Sequence, residues 1–295
     1  MKLNIDHLIE SLRPKPDYPT YPPYHTGLYL EDYFFDFYQR NIDRFQKLKR
    51  EYIPVFWTNI YLNAGGNLGE AVFKLQDILN KVLKPDGKYF MVSQHDDSPM
   101  NILPQNTMYF LSGGNKTGPG TNPIPLICGP LANQEKKEKE FLASFVGSMT
   151  HPVREKMVDV LKDKSDVYLS TKGWDNKMAV ENVEDFINAS LKSKFVLCPR
   201  GWGTTSFRLY EAMQLDAVPV YISDEFWKPF TYELNWDDFC VSIKEDEIPN
   251  IHSILESISE EKYNKMKSKI KEVYENYFTL EGTCNKILQM LELES

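Results

Sequence analysis

The sequence predicts an α/β fold in two domains, the second a doubly wound parallel sheet, and three observations carry that expectation. The chain has 295 residues, longer than one typical domain and enough for two of ordinary size with a cleft between them. Hydrophobic residues make up 42% of it and aromatics 13%, so there is ample material for a core and little ground for disorder. In the second half, short apolar runs alternate with helical periods, the pattern of a parallel sheet covered by helices.

In order along the chain, residues 3–12 predict a short helix. The five prolines of residues 13–23 forbid a helix and predict an extended arm. Residues 28–50 have a helical period, 53–58 form a buried-strand run, and 68–83 predict an amphipathic helix. A short strand, 89–93, runs into Gln94, His95, Asp96 and Asp97, delivering polar side chains to a strand's carboxyl end, where open α/β sheets place their ligands. Residues 112–122 are glycine-rich and predict a loop, either lid or spacer. Residues 124–128 are the expected last strand of the first domain, and the charged run 134–140 is the expected linker. The domains are therefore expected at 1–140 and 141–282. In the second, strands at 141–146, 167–170, 195–198 and 218–222 alternate with helices at 152–162, 180–190 and 206–214. From residue 251 onward the chain reads as helical.

Composition excludes some functions. A net charge of -8 argues against nucleic acid as the main partner but leaves room for a local basic pocket taking a phosphorylated small molecule. Cys128, Cys198, Cys240 and Cys284 form no CxxC pair and have no histidine at ligand spacing, so neither zinc nor a disulfide framework is indicated and a reducing compartment is expected. No stretch approaches the roughly 20 apolar residues that cross a bilayer. A cytoplasmic protein without membrane insertion is the expectation. A dinucleotide oxidoreductase is disfavoured, because no GxGxxG follows the first strand.

The densest chemistry lies in residues 199–212, PRGWGTTSFRLYEA. Two glycines let the backbone turn, and amide groups at a helix start suit an anion. Arg200 and Arg208 add guanidinium groups whose planar fork matches paired phosphate oxygens, and Glu211 is placed to accept from ribose hydroxyls. The alternative stays open that Arg208 and Glu211 are a surface pair three residues apart and the glycines only turn the chain. Trp202 either stacks on a ligand or rests against its loop, and residues 226–230 are expected to pack in the core.

The segment 195–230 resembles the donor-binding core of exostosin-like transferases, glycosyltransferase family 47. The shared pattern is Cys-x-Pro, Arg-Gly, Ser-Phe-Arg, Glu-Ala, Val-Pro-Val and a downstream Pro-Phe. Phe145-Val146-Gly147 with Arg154, and Ser170-Thr171-Lys172-Gly173, resemble flanking family patterns. Tyr29-Leu30-Glu31-Asp32-Tyr33-Phe34 and Gln94-His95-Asp96 resemble weaker ones.

The resemblance implies a GT-B architecture of two Rossmann-like domains facing a central cleft, with residues 283–293 packing back on the first. It implies an inverting transfer from a UDP-sugar donor to an oligosaccharide or glycoprotein glycan acceptor. Asp96 is the expected base, with Asp97 as its alternative and His95 beside it. Each aspartate has the competing reading of a turn cap. Arg154, Lys172, Arg200, Gly201, Ser206, Phe207, Arg208 and Glu211 are the expected donor contacts, the cations stabilising the departing diphosphate. Glu31 and His25 are the expected acceptor contacts, and Glu31 is a further candidate base. No Asp-x-Asp motif is present, and the side chains of Asp96–Asp97 and of Asp237–Asp238 diverge, so no divalent metal is expected to be essential. The chain is similar to exostosin-like enzymes of large algal viruses, which implies UDP-xylose as donor. A catalytically silent carbohydrate-binding or partner subunit is the other reading.

Overall fold

The computed structural model describes residues 12–15, 30–115, 117–127, 131, 135–173 and 180–294. The expected helix at 3–12 falls almost wholly outside them, as do most of the arm at 13–23, His25 and Cys128. The fold class is α/β as predicted, in two Rossmann-like units, each built on its own parallel sheet.

The first unit comprises residues 1–128 and 280–295. Its helices are α1 (Leu30–Arg40), α2 (Ile42–Phe45), α3 (Trp57–Asn63) and α4 (Leu68–Val82), and its strands β1 (Glu51–Tyr52), β2 (Tyr89–Ser93), β3 (Thr107–Leu111) and β4 (Thr121–Pro123). The strands lie in chain order, all parallel. Its core is aromatic. Phe34 on α1 meets Tyr52 edge-on at 5.2 Å, and Tyr52 stacks on Phe90 of β2 at 5.1 Å, contacts worth about 0.5–1.5 kcal/mol each beyond area burial.

Three expectations fail here. The helix expected over 28–50 breaks at Asn41, whose side-chain amide donates to the Phe37 carbonyl. The run 53–58 is not a strand: pairing continues only to Ile53, whose N–H donates to the Phe90 carbonyl. Pro54 has no N–H to extend the ladder, and Trp57 and Thr58 open α3. Pairing in the last strand covers Thr121–Pro123, not 124–128; residues 124–127 are buried but irregular.

The second unit, residues 129–279, holds β5 (Phe141–Ser148), α5 (Pro152–Leu161), β6 (Val167–Lys172), α6 (Val180–Leu191), β7 (Ser193–Pro199), α7 (Arg208–Gln214), β8 (Val218–Ile222), β9 (Val241–Ile243), α8 (Ile251–Glu256) and α9 (Glu260–Tyr277). The sheet order is β6-β5-β7-β8-β9. Fully buried Phe145, Phe195, Tyr221 and Phe239 fill its interior.

The division falls earlier than 140/141. The linker segment is tied to the second unit: Lys139 Nζ donates to the carbonyls of Leu191 and Asp216, and Glu140 N–H to that of Lys192. Burial pulls the Lys139 ammonium down to about 8. The last helix, α10 (Leu280–Leu293), belongs to the first unit. It buries Cys284, Ile287, Leu288 and Leu291, while its ion pairs, Arg40–Glu281 at 3.2 Å and Arg44–Glu292 at 2.9 Å, are exposed and contribute little. Among the described residues no helix is long and apolar enough to cross a membrane.

Candidate functional site

In the second unit the chain runs from β5 to β6 on one side and then crosses to β7 on the other. The carboxyl ends of β5 and β7 therefore form the topological switch point, where open α/β sheets bind ligands. The two strands part there: their pairing stops at Ser144↔Val196, whereas β5 stays paired with β6 to Ser148↔Lys172. Arg154 bridges the gap from α5. Its Nη1 donates to the Ser148 carbonyl at 2.7 Å, its Nε to that of Arg200 at 3.0 Å, and its Nη2 to that of Pro199 at 3.4 Å. Burial first, and then the Arg208 charge, pulls this guanidinium down to about 10.

Two glycines make room for the arginines. A Cβ on Gly201 would lie 3.1 Å from Arg154 Nη2, and one on Gly147 would lie 3.2 Å from Arg208 Nη2. Arg208 also lies over the Phe186 ring, 4.3 Å from its centroid. His151, the N-cap of α5, lies beside the cluster as a neutral ring. Its imidazole pKa is lowered by burial and by the charges of Arg200 and Arg154, against the opposing charge of Glu245, and its Nδ1 accepts from Val153 N–H. Among the described residues no carboxylate lies within ion-pair distance of Arg154, Arg200 or Arg208. Arg200 Nε, Arg208 Nη1 and Thr204 Oγ1 are buried with no hydrogen-bond partner. Unmade buried donors are costly, about 1–3 kcal/mol each, and an anion is the ligand chemistry that would satisfy the two guanidinium groups.

The structure brings Arg154, Arg200, Gly201 and Arg208 together; the other expected donor contacts differ. Lys172 reaches the same sheet edge, but its Nζ is 3.5 Å from Asp185 Oδ2, a carboxylate that also accepts from Tyr168 and Ser170 hydroxyls at 2.7 Å. The amide groups expected at the helix start are occupied: Leu209 N–H donates to the Ser206 carbonyl, those of Tyr210 and Glu211 to that of Phe207, and Arg208 N–H to Ser206 Oγ. With α7 only seven residues long, positive charge here comes from side chains. Phe207 is half-buried at the N-cap, and Glu211 is 3% exposed, inside the unit. Trp202 is 70% exposed. Of the 226–230 segment, Trp227 and Phe230 are buried as expected. The sequence reading missed Phe186, His151 and the unpartnered Thr204 hydroxyl. Only Thr204 left a local trace, within the Gly203-Thr204-Thr205-Ser206 turn.

In the first unit, His95, Asp96 and Asp97 follow β2 at its carboxyl end, partly exposed. Asp97 N–H donates to His95 Nδ1 at 3.1 Å, so that nitrogen is unprotonated and the neutral ring carries its proton on Nε2. The Asp97 carboxylate accepts from Asn115 Nδ2 at 2.9 Å, a contact to a segment 18 residues further along the chain. The Asp96 backbone is fixed by Asn115 N–H on its carbonyl and by Gly113, where a Cβ would come within 2.3 Å of Asp96 Cα.

The assignment of Glu31 to the acceptor is overturned. It is 0% exposed, and its Oε1 accepts from Thr58 Oγ1 at 2.8 Å, Gln94 N–H at 3.0 Å and Thr58 N–H at 3.2 Å. Burial, opposed by these donors, raises its pKa. Neighbouring Asp32 is pushed up to about 7 by burial and by the Glu31 charge. Because this folded value lies above the ordinary 3.8, Asp32 favours the fold when protonated, and that stability is lost as pH rises through about 7. Asp32→Asn is therefore expected to raise the thermal midpoint at about pH 8 by several degrees and to change it little at about pH 4, as scanning calorimetry of both proteins would show.

The second unit is thus a parallel α/β sheet with three arginines at its switch point, the place where such sheets bind ligands. Residues 109–258, half of the chain, match the Exostosin GT47 domain, and the chain belongs to that family. A probable glycosyltransferase of Arabidopsis thaliana, At5g25310, is 30% identical over 208 residues, 64% of this chain and 42% of that protein. A second from the same plant, At3g07620, is 33% identical over 154 residues, 51% of this chain and 32% of its own. A probable glucuronosyltransferase of Oryza sativa subsp. japonica, Os02g0520750, is 36% identical over 81 residues, 28% of this chain and 19% of its own. Each match thus spans less than half of the relative's length. The crystal structure of the pneumococcal O-GlcNAc transferase GtfA in complex with UDP and GlcNAc is similar at a TM-score of 0.41 and 12% identity, over 77% of this chain and 55% of that one.

Proposed function

We propose that this protein is an inverting glycosyltransferase that moves a sugar from a UDP-sugar to a hydroxyl of an oligosaccharide or glycoprotein glycan. The supporting observation is the cluster of Arg154, Arg200 and Arg208, with no carboxylate in ion-pair reach among the described residues and with buried donors left unpartnered. Like charges held together without a counter-charge repel one another, and a diphosphate supplies that counter-charge. The names of the family relatives, glycosyltransferases and glucuronosyltransferases, point to the same class of chemistry. UDP-xylose, the donor expected from the sequence, is proposed first; UDP-glucuronate, UDP-galactose and UDP-arabinose are the other donors proposed.

In this reading the Asp96 carboxylate takes the acceptor hydroxyl proton as that oxygen forms its bond to the anomeric carbon, and the bond from the anomeric carbon to the β-phosphate oxygen breaks. The electron pair leaves with UDP. Arg200 and Arg208 meet the charge that develops on the diphosphate, with the Thr204 and Ser206 hydroxyls as neutral donors, while Arg154 holds the strand ends on which this geometry depends. Arginines then do what a divalent ion would do, so activity is proposed to survive EDTA. Buried, free Cys198, Cys240 and Cys284 fit the proposed reducing, cytoplasmic setting.

The test incubates the purified protein with the four UDP-sugars in EDTA, with and without simple glycoside acceptors, measuring UDP release and the anomeric proton of the product by NMR. Consumption of one donor with a β-linked product from the α-donor is expected. A retained configuration would overturn the single displacement. Binding of UDP without turnover of any donor would favour the silent binding subunit.

A further inference from the structure

We propose that Glu31 is a positioning residue, whose carboxylate acts through Ser93 and Gln94 to hold the backbone that presents His95 and Asp96. The proposal rests on the reading of Asp96 as the acceptor's base. Its geometry joins three elements at one oxygen: Glu31 Oε1, on α1, accepts from Thr58 on α3 and from Gln94 N–H at the end of β2. The tie is reciprocal, because Gln94 Oε1 accepts from Leu30 N–H at 2.9 Å. The start of α1 and the end of β2 thus fix each other.

The hold passes directly to the proposed catalytic segment. The Ser93 hydroxyl faces the Glu31 carboxylate and accepts from His95 N–H at 3.3 Å. Next, His95 Nδ1 accepts from Asp97 N–H, while the Tyr61 ring meets the imidazole edge-on at 5.3 Å. Three successive residues, Ser93 to His95, therefore depend on one buried carboxylate, and the single histidine tautomer depends on them. A carboxylate suits this place because it only accepts, and the groups converging on it only need to donate. A neutral apolar side chain would strand buried donors one residue from His95.

A purely structural Glu31 would affect folding alone, so the test reads the histidine and the turnover of folded protein. Long-range proton–nitrogen spectra of protein labelled with 15N-histidine, with His95 assigned through His95→Asn, are recorded for wild type, Glu31→Gln, Glu31→Ala and Ser93→Ala. Hydrolysis of UDP-xylose gives kcat and KM, and calorimetry gives UDP affinity. In wild type and Glu31→Gln, which keeps Oε1, His95 is expected as one tautomer protonated on Nε2. Glu31→Ala and Ser93→Ala are expected to average the tautomers and lower kcat by roughly 10–100-fold, as loss of orientation does, with KM and UDP affinity within about twofold. Should Glu31→Ala fail to fold, Ser93→Ala decides. Wild-type histidine signals and kcat in Ser93→Ala and in every folded Glu31 variant would overturn the proposal. A wild-type protein inert toward UDP-xylose would count against that donor, while the histidine spectra would still decide the role of Glu31.

Discussion

Arg208→Ala is expected to weaken UDP binding about 100-fold, the cost of removing a charge-assisted donor to a diphosphate, without lowering thermal stability. Arg208 is the suitable residue because its Nη1 is buried without a partner, so truncation removes a group that the protein itself leaves unsatisfied. Loss of its cation–π contact with Phe186, worth about 0.5–2 kcal/mol, is offset by removal of the unsatisfied buried donor, worth about 1–3 kcal/mol. Gly147→Val is expected to act in the same direction, because even one added carbon would lie 3.2 Å from Arg208 Nη2 and 3.1 Å from the Phe145 ring. Arg154→Ala should behave differently. That side chain is spent on three carbonyls, so its loss is expected to lower stability as well as affinity. Calorimetry of UDP binding beside thermal melts separates the two outcomes.

Asp96→Asn is expected to lower kcat by roughly 10²–10⁴-fold, the usual range for removing a general base, with UDP affinity unchanged. The isosteric amide keeps the turn, since Asp96 is held through its backbone by Asn115 and Gly113. Asp97→Asn is expected to cost much less, because its carboxylate already serves as an acceptor for Asn115. A larger loss in Asp97→Asn than in Asp96→Asn, measured as donor consumption with acceptor present, would reverse the assignment.

Four of the five strands of the second sheet were legible because they are continuous apolar runs separated by clear helical periods; β9, only three residues long, was not. The observed β8 has the predicted bounds, and β5 to β7 extend their predicted runs by only a few residues. The first sheet was less legible for local reasons. An apolar run containing Pro54 imitates a strand while forbidding most of its ladder, and β3, Thr107–Leu111, lies just before a glycine-rich loop whose turn signals drew attention from it. In the site, Arg200, Gly201 and Arg208 were readable because glycines and arginines between a strand and a helix carry a local meaning. Arg154 as a clamp was not, nor was Phe186 beneath Arg208, since both follow from where β5 and β7 part. Glu31 was misassigned because a carboxylate in an aromatic helix looks the same in sequence whether it meets a ligand or three backbone and side-chain donors inside the core.

Calorimetric titration of the wild-type protein with UDP in EDTA tests the central claim most directly. Saturable binding of one UDP per chain, lost in Arg208→Ala, is the predicted result. No binding of UDP, with or without added manganese, in protein shown by its melt to be folded would contradict the assignment of the arginine cluster as the donor site.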